Sequence, residues 1–196
     1  MAKNRFHFFA FLSRMKYIMR WGLMRNTHTE NIQEHSLQVA IIAHALAIIR
    51  NTFFQGSVNA DRVAVLAMFH DCNEIITGDM PTPIKYFNPE ICQAYKNVEA
   101  VSKQKLLAML PDELKKSYSE IIFHENANDL YWKIVKSADR ISAYIKCIEE
   151  VKAGNSEFKK ASDSIYKSIK DIDLPEVKYF MDNFIPSYSL TLDELD

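Results

Sequence analysis

Two histidines and two aspartates in this sequence have the residue types and the setting of a divalent-metal site. His70 and Asp71 are adjacent after the apolar segment VAVLAMF, and His35 and Asp139 belong to two other apolar segments. A polar pair buried after such a segment needs compensation, which a divalent metal provides. Two imidazoles and two carboxylates form a mixed nitrogen and oxygen set that suits Mn, Fe, Co or Zn rather than Ca. We therefore predict that these four side chains bind one metal ion, with open positions for water and a phosphate oxygen.

Four further side chains have a chemical interpretation and an ordinary structural one. Glu74 follows Asp71 by three positions; it can exchange a proton with water or a leaving alkoxide, or it is a helix-surface acid. Arg20 offers a planar fork for phosphate oxygens, or it is a solvated loop arginine. Trp21 can contact a base or sugar, or it lies at the edge of the core. Asp79 can bind a sugar hydroxyl or cap the next turn.

Composition excludes several other classes of protein. The chain has four glycines in 196 residues and contains no GxGxxG or Walker-type phosphate loop. Its formal net charge of −1 lacks the basic excess of a nonspecific nucleic-acid binder, so we expect no nucleic-acid polymer as partner. The three cysteines are odd in number and widely spaced, which predicts buried free thiols in a reducing cytoplasm rather than disulfides.

Apolar runs in the sequence are too short for membrane insertion. The run from Phe8 to Leu12 is followed by Arg14 and Lys16, unlike a signal peptide. The run ALAII is far shorter than a bilayer span, and His44 interrupts the longer apolar stretch around it. We therefore expect a cytoplasmic protein with no membrane partner, and we interpret His44 as an ordinary core histidine.

Helical periodicity dominates the chain and predicts an all-α fold. Asn59 and Asn128 are expected helix caps, Gly78 a helix stop, and Pro81 and Pro83 are expected to exclude regular helix from the loop after it. The chain from 1 to 196 is predicted to be one domain, a bundle of about seven or eight helices. The expected helices cover about 6–19, 34–50, 59–76, 88–110, 112–123, 129–152, 156–170 and 175–184.

The pattern H…HD…D resembles the signature of the HD-domain metal-dependent phosphohydrolases. The segments FLSRMKYIMRWGLMRNTHTENIQEHSLQVA, HDCNEIITGDMPTPIKYF and FIPSYSL extend the resemblance over essentially the whole chain, to the bacterial HD-domain 5′-deoxynucleotidases. The dipeptide RW before the first ligand and GDMPTP after the HD pair narrow the match to this branch. The family usually reads GDLPTP, and Met80 is a volume-conserving replacement.

This resemblance implies an all-α homodimer that hydrolyses deoxyribonucleoside 5′-monophosphates with cobalt, or with a similar divalent ion such as Mn²⁺ or Zn²⁺. It implies that Arg20 orients the phosphate, that Trp21 contacts the nucleoside, and that Glu74 takes part in catalysis. The predicted site therefore comprises catalytic Glu74, Arg20 and Asp79; substrate contacts Arg20, Trp21, Asp71, Asp79, Met80, Pro81, Thr82 and Asp139; and metal ligands His35, His70, Asp71 and Asp139.

Two alternatives stay open at this stage. The first is another HD-type reaction, hydrolysis of nucleoside triphosphates, cyclic nucleotides or alarmones, which the ligand spacing does not separate from monophosphate hydrolysis. The short chain without extra domains favours a small monophosphate. The second is a non-catalytic, nucleotide-binding helical protein, which the presence of all four ligands and Glu74 disfavours.

Overall fold

In a computed structural model that describes residues 5–126 and 129–195, the chain is helical and these ranges contain no β-strand. A single antiparallel bridge joins Met19 to Asn31. The predicted all-α class is confirmed. The helices are α1 (Phe8–Leu12), α2 (Ile32–Phe53), α3 (Ala60–Phe69), α4 (Glu74–Thr77), α5 (Thr82–Lys85), α6 (Pro89–Ala108), α7 (Asp112–Ile122), α8 (Leu130–Lys152), α9 (Lys159–Lys170) and α10 (Pro175–Asn183), with 3-10 turns at Ser13–Tyr17, Ser156–Phe158, Ile185–Ser189 and Leu192–Glu194.

Helix α2 is the central element of the bundle. It begins with a capping box, in which the Asn31 side chain accepts from the Glu34 backbone N–H and the Glu34 carboxylate accepts from the Asn31 backbone N–H. It packs against α3, α8 and α10 and buries Val39 and Leu46 completely. By length and composition α2 can also cross a membrane, but 56% of its most apolar window is buried inside the protein. We therefore describe α2 as the core helix of the bundle.

The third predicted helix is not continuous, and the prediction of helix through Ile76 was wrong. Helix α3 starts at the expected Asn59 cap but ends at Phe69, and a turn over 70–73 separates it from α4. Short-range backbone bonds tighten this turn, including Cys72 N–H to the Phe69 carbonyl and Glu74 N–H to the Asp71 carbonyl. The His–Asp pair therefore lies in a turn between helices, not on a helix face.

One side of this turn packs into an apolar cluster that is separate from the core around α2. Cys72 directly follows Asp71 and is completely buried there. The cluster forms where α1, α6 and α7 approach the turn, and its buried members are Phe8, Cys72, Leu106, Leu110 and Ile122. Burial of Cys72 therefore fixes the position of its polar neighbour.

Other expectations about local structure also need correction. The predicted helix over 6–19 is α1 followed by a 3-10 turn. The helix does not continue because Ile18 is extended, and its carbonyl accepts from the Ile32 N–H at the other end of the next loop. Pro81 and Pro83 do not exclude helix, since they occupy the N-cap and first turn of α5, where backbone donors are not needed.

Two predictions about individual polar residues have different outcomes. The interpretation of His44 as a core histidine was wrong, because its side chain is 45% exposed and its Nε2 lies 3.7 Å from the exposed Asp61. Asn128 lies outside the described residues, and Asp129 caps α8 with a bond from the Tyr131 backbone.

Candidate metal and substrate site

Four predicted ligands from three separate parts of the chain meet at one point. His35 lies in the first turn of α2, His70 and Asp71 in the turn before α4, and Asp139 in the middle of α8. One ligand atom from each of His35, His70 and Asp71 lies within 4.8 Å of the others. Asp139 Oδ1 lies 3.2 Å from His35 Nε2 and 4.0 Å from His70 Nε2. This spacing suits one shared cation.

Hydrogen bonds on the far side of each ring orient the two imidazoles. His70 Nδ1 lies 2.7 Å from the Ala67 carbonyl, which can only accept, so this nitrogen carries the proton. His35 Nδ1 lies 3.1 Å from Ser142 Oγ, and that hydroxyl donates to Gln38. The hydroxyl proton is thus used, and Nδ1 of His35 must be the donor. In the neutral form of each ring, Nε2 then has a free lone pair directed into the cluster.

The free Nε2 atoms provide the test of whether a metal fits. Both are buried and make no hydrogen bond, although carboxylate oxygens of Asp71 and Asp139 lie 3.0 and 3.2 Å away. Unpaired buried nitrogens are unfavourable unless something coordinates them. Neutral imidazoles fixed from behind, beside two carboxylates, are the donors that transition metals prefer. The donor set therefore fits a divalent transition metal.

Local charges keep both carboxylates ionised. Burial opposes ionisation of Asp71, but pairing with protonated His70 holds the pKa of this carboxyl well below its usual range and raises the pKa of His70. A metal bound at Nε2 would displace that proton. Burial likewise opposes ionisation of Asp139, and Lys136 lowers its pKa. Burial and the charge of Arg20 lower the pKa of His35, which favours its neutral, ligating form.

Arg20 and Trp21 lie in the loop between the first 3-10 turn and α2, and one acid holds both. Arg20 Nε and Trp21 Nε1 donate to the same Oε2 of Glu30, at 2.9 and 3.0 Å. Arg20 Nη1 lies 3.8 Å from Asp71 Oδ2, next to the metal cluster. Trp21 has a positive φ of 61° and packs against the ring of Phe158.

Glu74 is a buried acid at the start of α4. Its Oε2 is buried and has no hydrogen-bond partner. Burial and the charges of Asp71 and Asp79 raise the pKa of Glu74 well above the usual value. Burial also raises the pKa of Asp79, against the opposing effect of Arg20. These shifts favour the protonated form of Glu74, in which its carboxyl group can donate a proton.

A cavity of about 620 Å³ opens in front of the metal cluster, within the range of small-molecule sites. Four cationic side chains line it beside four acids, and the raised pKa of Glu74 reduces the negative charge, which suits an anionic ligand. His35 and His70 lie behind its wall. The predicted residues that line it are Arg20, Trp21, Asp71, Glu74, Asp79, Met80, Pro81, Thr82 and Asp139; the others include Leu23, Lys85, Tyr86, Lys136, Arg140, Ser164 and Ser168.

Three residues of this site were not predicted from the sequence. Lys136 donates to Asp139 Oδ2 at 2.5 Å. The two residues stand three positions apart on a helix, and this spacing could have indicated the contact. Ser142 also lies three positions from Asp139 on α8, and its hydroxyl meets His35 from behind. Glu30 gave no signal, because it stands ten residues from Arg20 in a loop whose pairing only the structure shows.

Comparisons with known proteins agree with this geometry. A solved HD-domain phosphohydrolase from Listeria innocua superposes with a TM-score of 0.83 at 22% identity, covering 93% of this chain and 88% of its own. The cyanophage S-2L HD phosphohydrolase, solved with dA and one catalytic Zn²⁺ ion, gives a TM-score of 0.65 at 18% identity, covering 91% and 96%. At such low identity these two likenesses establish the fold, which is that of the HD-domain phosphohydrolases.

Sequence similarity identifies the family within this class. The model of the YfbR-like 5′-deoxynucleotidases matches residues 7–188. A 5′-deoxynucleotidase of Vibrio vulnificus is 51% identical over 189 residues, covering 96% of this chain and 97% of the relative. Another, from Photorhabdus temperata, is 53% identical over 189 residues, covering 96% of each. The chain belongs to the YfbR-like 5′-deoxynucleotidase family.

Proposed function

We propose that this protein hydrolyses deoxyribonucleoside 5′-monophosphates to a deoxynucleoside and phosphate. The observation that carries the proposal is the pair of buried, unpartnered Nε2 atoms beside two carboxylates, at the base of a cavity that Arg20 also lines. Membership of a family of 5′-deoxynucleotidases supports the choice of substrate.

His35, His70, Asp71 and Asp139 would hold the metal through two imidazole nitrogens and two carboxylates. A divalent ion bound there supplies a water of lowered pKa and stabilises negative charge on the phosphoryl oxygens. The resemblance to the HD-domain 5′-deoxynucleotidases makes Co²⁺ the first candidate. Mn²⁺ and Zn²⁺ follow, because all three metals accept mixed nitrogen and oxygen ligands.

The Arg20 side chain binds the phosphate in this proposal. Its Nε is engaged by Glu30, so its two Nη groups remain to pair with two phosphoryl oxygens. Burial opposes its charge, but the carboxylates of Glu30, Asp139 and Asp71 raise the pKa of Arg20 further. The guanidinium therefore stays charged while it positions the phosphorus for in-line attack.

Glu74 acts as the general acid. Because burial and neighbouring acids raise its pKa and so favour its protonated form, it can donate a proton to the leaving O5′ of the nucleoside. Asp79 binds a sugar hydroxyl and is the second group near the reaction that can hold a proton. Trp21, Met80, Pro81 and Thr82 contact the nucleoside along the cavity wall.

The direct test measures free phosphate from a panel of deoxyribonucleoside and ribonucleoside monophosphates with Co²⁺, Mn²⁺ or Zn²⁺. We expect phosphate release from the deoxy compounds and little from the ribo compounds. Pyrophosphate or triphosphate release from nucleoside triphosphates, without activity on monophosphates, would contradict the proposal and favour another HD-type reaction.

We also propose that the protein is cytoplasmic and forms a homodimer. The free cysteines among the described residues include the buried Cys72 and Cys147, which accords with a reducing compartment. One face of α2 leaves Leu37 and Ile41 exposed, as expected of a surface that a second copy covers.

A further inference from the structure

Glu30 connects the arginine and the tryptophan at the edge of the cavity through a single oxygen atom. Its Oε2 accepts one hydrogen bond from Arg20 Nε and another from Trp21 Nε1. The Glu30 side chain is only 13% exposed and that of Arg20 12%. Water therefore does not readily replace either bond.

The loop backbone brings this acid to its two partners. Glu30 lies on the opposite limb of the loop, where its carbonyl accepts from the Arg20 N–H at 2.9 Å. One residue further along each limb, Met19 and Asn31 form the antiparallel bridge. Main-chain hydrogen bonds therefore fix the position of the Glu30 backbone independently of its side-chain contacts.

Engagement of Nε determines which edge of the Arg20 guanidinium is available. Glu30 occupies the Nε position, and Nη1 lies 3.8 Å from Asp71 beside the predicted metal ligands. The two Nη groups remain for a ligand. A pair of parallel donors of this kind matches two oxygens of a phosphate.

Trp21 needs such an anchor because its backbone is strained. Its φ of 61° lies in the left-handed region that non-glycine residues seldom occupy. Strained positions persist when surrounding contacts fix them. The indole N–H bond to Glu30 and the packing of the ring on Phe158 are two of those contacts, beside the Trp21 backbone bonds with Met24 and Asp79.

We propose that Glu30 is a positioning residue that sets Arg20 and Trp21 together, so that the phosphate end and the nucleoside end of the substrate depend on one carboxylate. This inference rests on the proposed function, in which Arg20 meets the phosphate and Trp21 the nucleoside. It predicts that loss of Glu30 weakens both ends of the substrate, whereas loss of either partner weakens one.

The test uses calorimetric binding of inorganic phosphate and of deoxyadenosine to the Co²⁺-loaded protein. Arg20→Ala should weaken phosphate alone, and Trp21→Ala should weaken deoxyadenosine alone. Glu30→Ala should weaken both by about 10-fold or more and lower kcat/KM by about 10- to 100-fold, with unchanged cobalt content. In the Arg20→Ala background, Glu30→Ala should cause no further loss of phosphate binding.

A matched control is an acid that contacts the same loop from the 3-10 turn at Ser156–Phe158. Glu157 is exposed, and its carboxylate accepts from the Arg25 backbone N–H at 3.5 Å without touching Arg20 or Trp21. Glu157→Ala should bind both probes as the wild type does.

A spectroscopic readout follows Trp21 itself. The chain has two tryptophans, so Trp132→Phe leaves Trp21 as the only one. In that background, Glu30→Ala should shift the emission to longer wavelength, because the indole loses its partner and gains water. This measurement does not depend on turnover.

Several outcomes separate this inference from the proposed function. Unchanged emission and unchanged binding of both probes in Glu30→Ala would overturn the positioning role, as would loss of cobalt. A wild-type protein that releases no phosphate would overturn the proposed function, while the emission and binding results still decide the role of Glu30. If Glu30→Ala does not fold, Glu30→Gln replaces it; the uncharged amide should weaken phosphate more than deoxyadenosine, and equal wild-type values for both would overturn the inference.

Discussion

Each imidazole of the candidate metal centre has one nitrogen fixed and one nitrogen free. The Ala67 carbonyl and the Ser142 hydroxyl fix Nδ1 of His70 and His35, respectively. Such outer partners hold a ligand in the tautomer and orientation that binding requires. The candidate centre is therefore organised by residues behind the ligands as well as by the ligands.

Replacing Arg20 tests the phosphate-binding role at the residue scale. We expect Arg20→Ala to lower kcat/KM by about 10²- to 10³-fold, because the enzyme loses a hydrogen-bond donor to the negative charge that develops in the transition state. Metal content should not change, because Arg20 is not a ligand. Phosphate-release kinetics and elemental analysis check both statements, with the exposed Arg25→Ala as control. Loss of metal from Arg20→Ala would mean that the arginine has another role.

Replacing Glu74 tests the general acid. Glu74→Gln cannot donate a proton, so we expect about a 10²- to 10⁴-fold loss of turnover on a deoxynucleotide, whose leaving alkoxide needs that proton. A p-nitrophenyl phosphate ester has a leaving group that needs little protonation, so its hydrolysis should fall much less. Equal losses on both substrates would argue against proton donation by Glu74.

The four candidate ligands stand out by residue type and pattern, but the residues that support them do not. Histidine and aspartate in apolar segments stand out, because buried polar groups require a reason. Glu30 and Gln38 are ordinary polar residues in the sequence. Their roles depend on loop pairing and on contact between α2 and α8, which no local pattern encodes.

At the scale of elements, the break after α3 is the main difference between expectation and structure. The apolar pattern continues from α3 to Ile76. Within it, Cys72 is buried in the cluster formed with α1, α6 and α7, and Phe69 packs against the same cluster. Periodicity reports burial and does not detect a tight turn that keeps the same residues buried. The break directs His70 and Asp71 to the same point, which adjacent positions on a regular helix achieve only at its edge.

Among contacts between elements, Glu150 attaches the loop that carries Arg20 and Trp21 to α8. This fully buried carboxylate accepts bonds from the Thr27 and His28 backbones, the Asn155 amide and the Lys146 ammonium. Glu150→Ala leaves Lys146 buried without its partner, so we expect a loss of about 3–5 kcal/mol in the free energy of unfolding. Urea unfolding measures it, with the exposed Glu149→Ala as control. A loss under about 1 kcal/mol would contradict the anchor role.

The same anchor predicts a dependence of stability on pH. Burial opposes ionisation, but the Lys146 and Asn155 bonds hold the pKa of Glu150 well below its usual range. A carboxyl group with a lowered folded-state pKa stabilises the fold above its unfolded pKa, and this contribution declines as pH falls below about 4.5. Wild-type stability should therefore fall more steeply than that of Glu150→Gln below this pH.

At the scale of the whole molecule, one central helix determines both the core and the exposed apolar surface. Helix α2 is apolar on nearly every side, and one face keeps Leu37, Ile41 and Ile48 at the surface. A groove beside this face is lined by Met15, Leu37 and Met68 among others. The apolar composition of α2 predicted a buried helix, but it did not distinguish the buried faces of α2 from this exposed face.

This surface is where we expect the second copy to pack. Light scattering should give about twice the chain mass of 22.7 kDa. Ile41→Glu should give the mass of a single chain, because a charge on the face disfavours burial, whereas a charge at the exposed Phe123 should not. A single-chain mass for the wild type would contradict the homodimer without affecting the metal site.

We propose that His35, His70, Asp71 and Asp139 surround one divalent cation. Anomalous X-ray diffraction at the cobalt edge, from crystals grown with Co²⁺, locates such an ion. We expect one dominant peak within about 2.0–2.3 Å of both Nε2 atoms and of an oxygen from each aspartate. No peak at this position, or a dominant peak elsewhere in the protein, would contradict it.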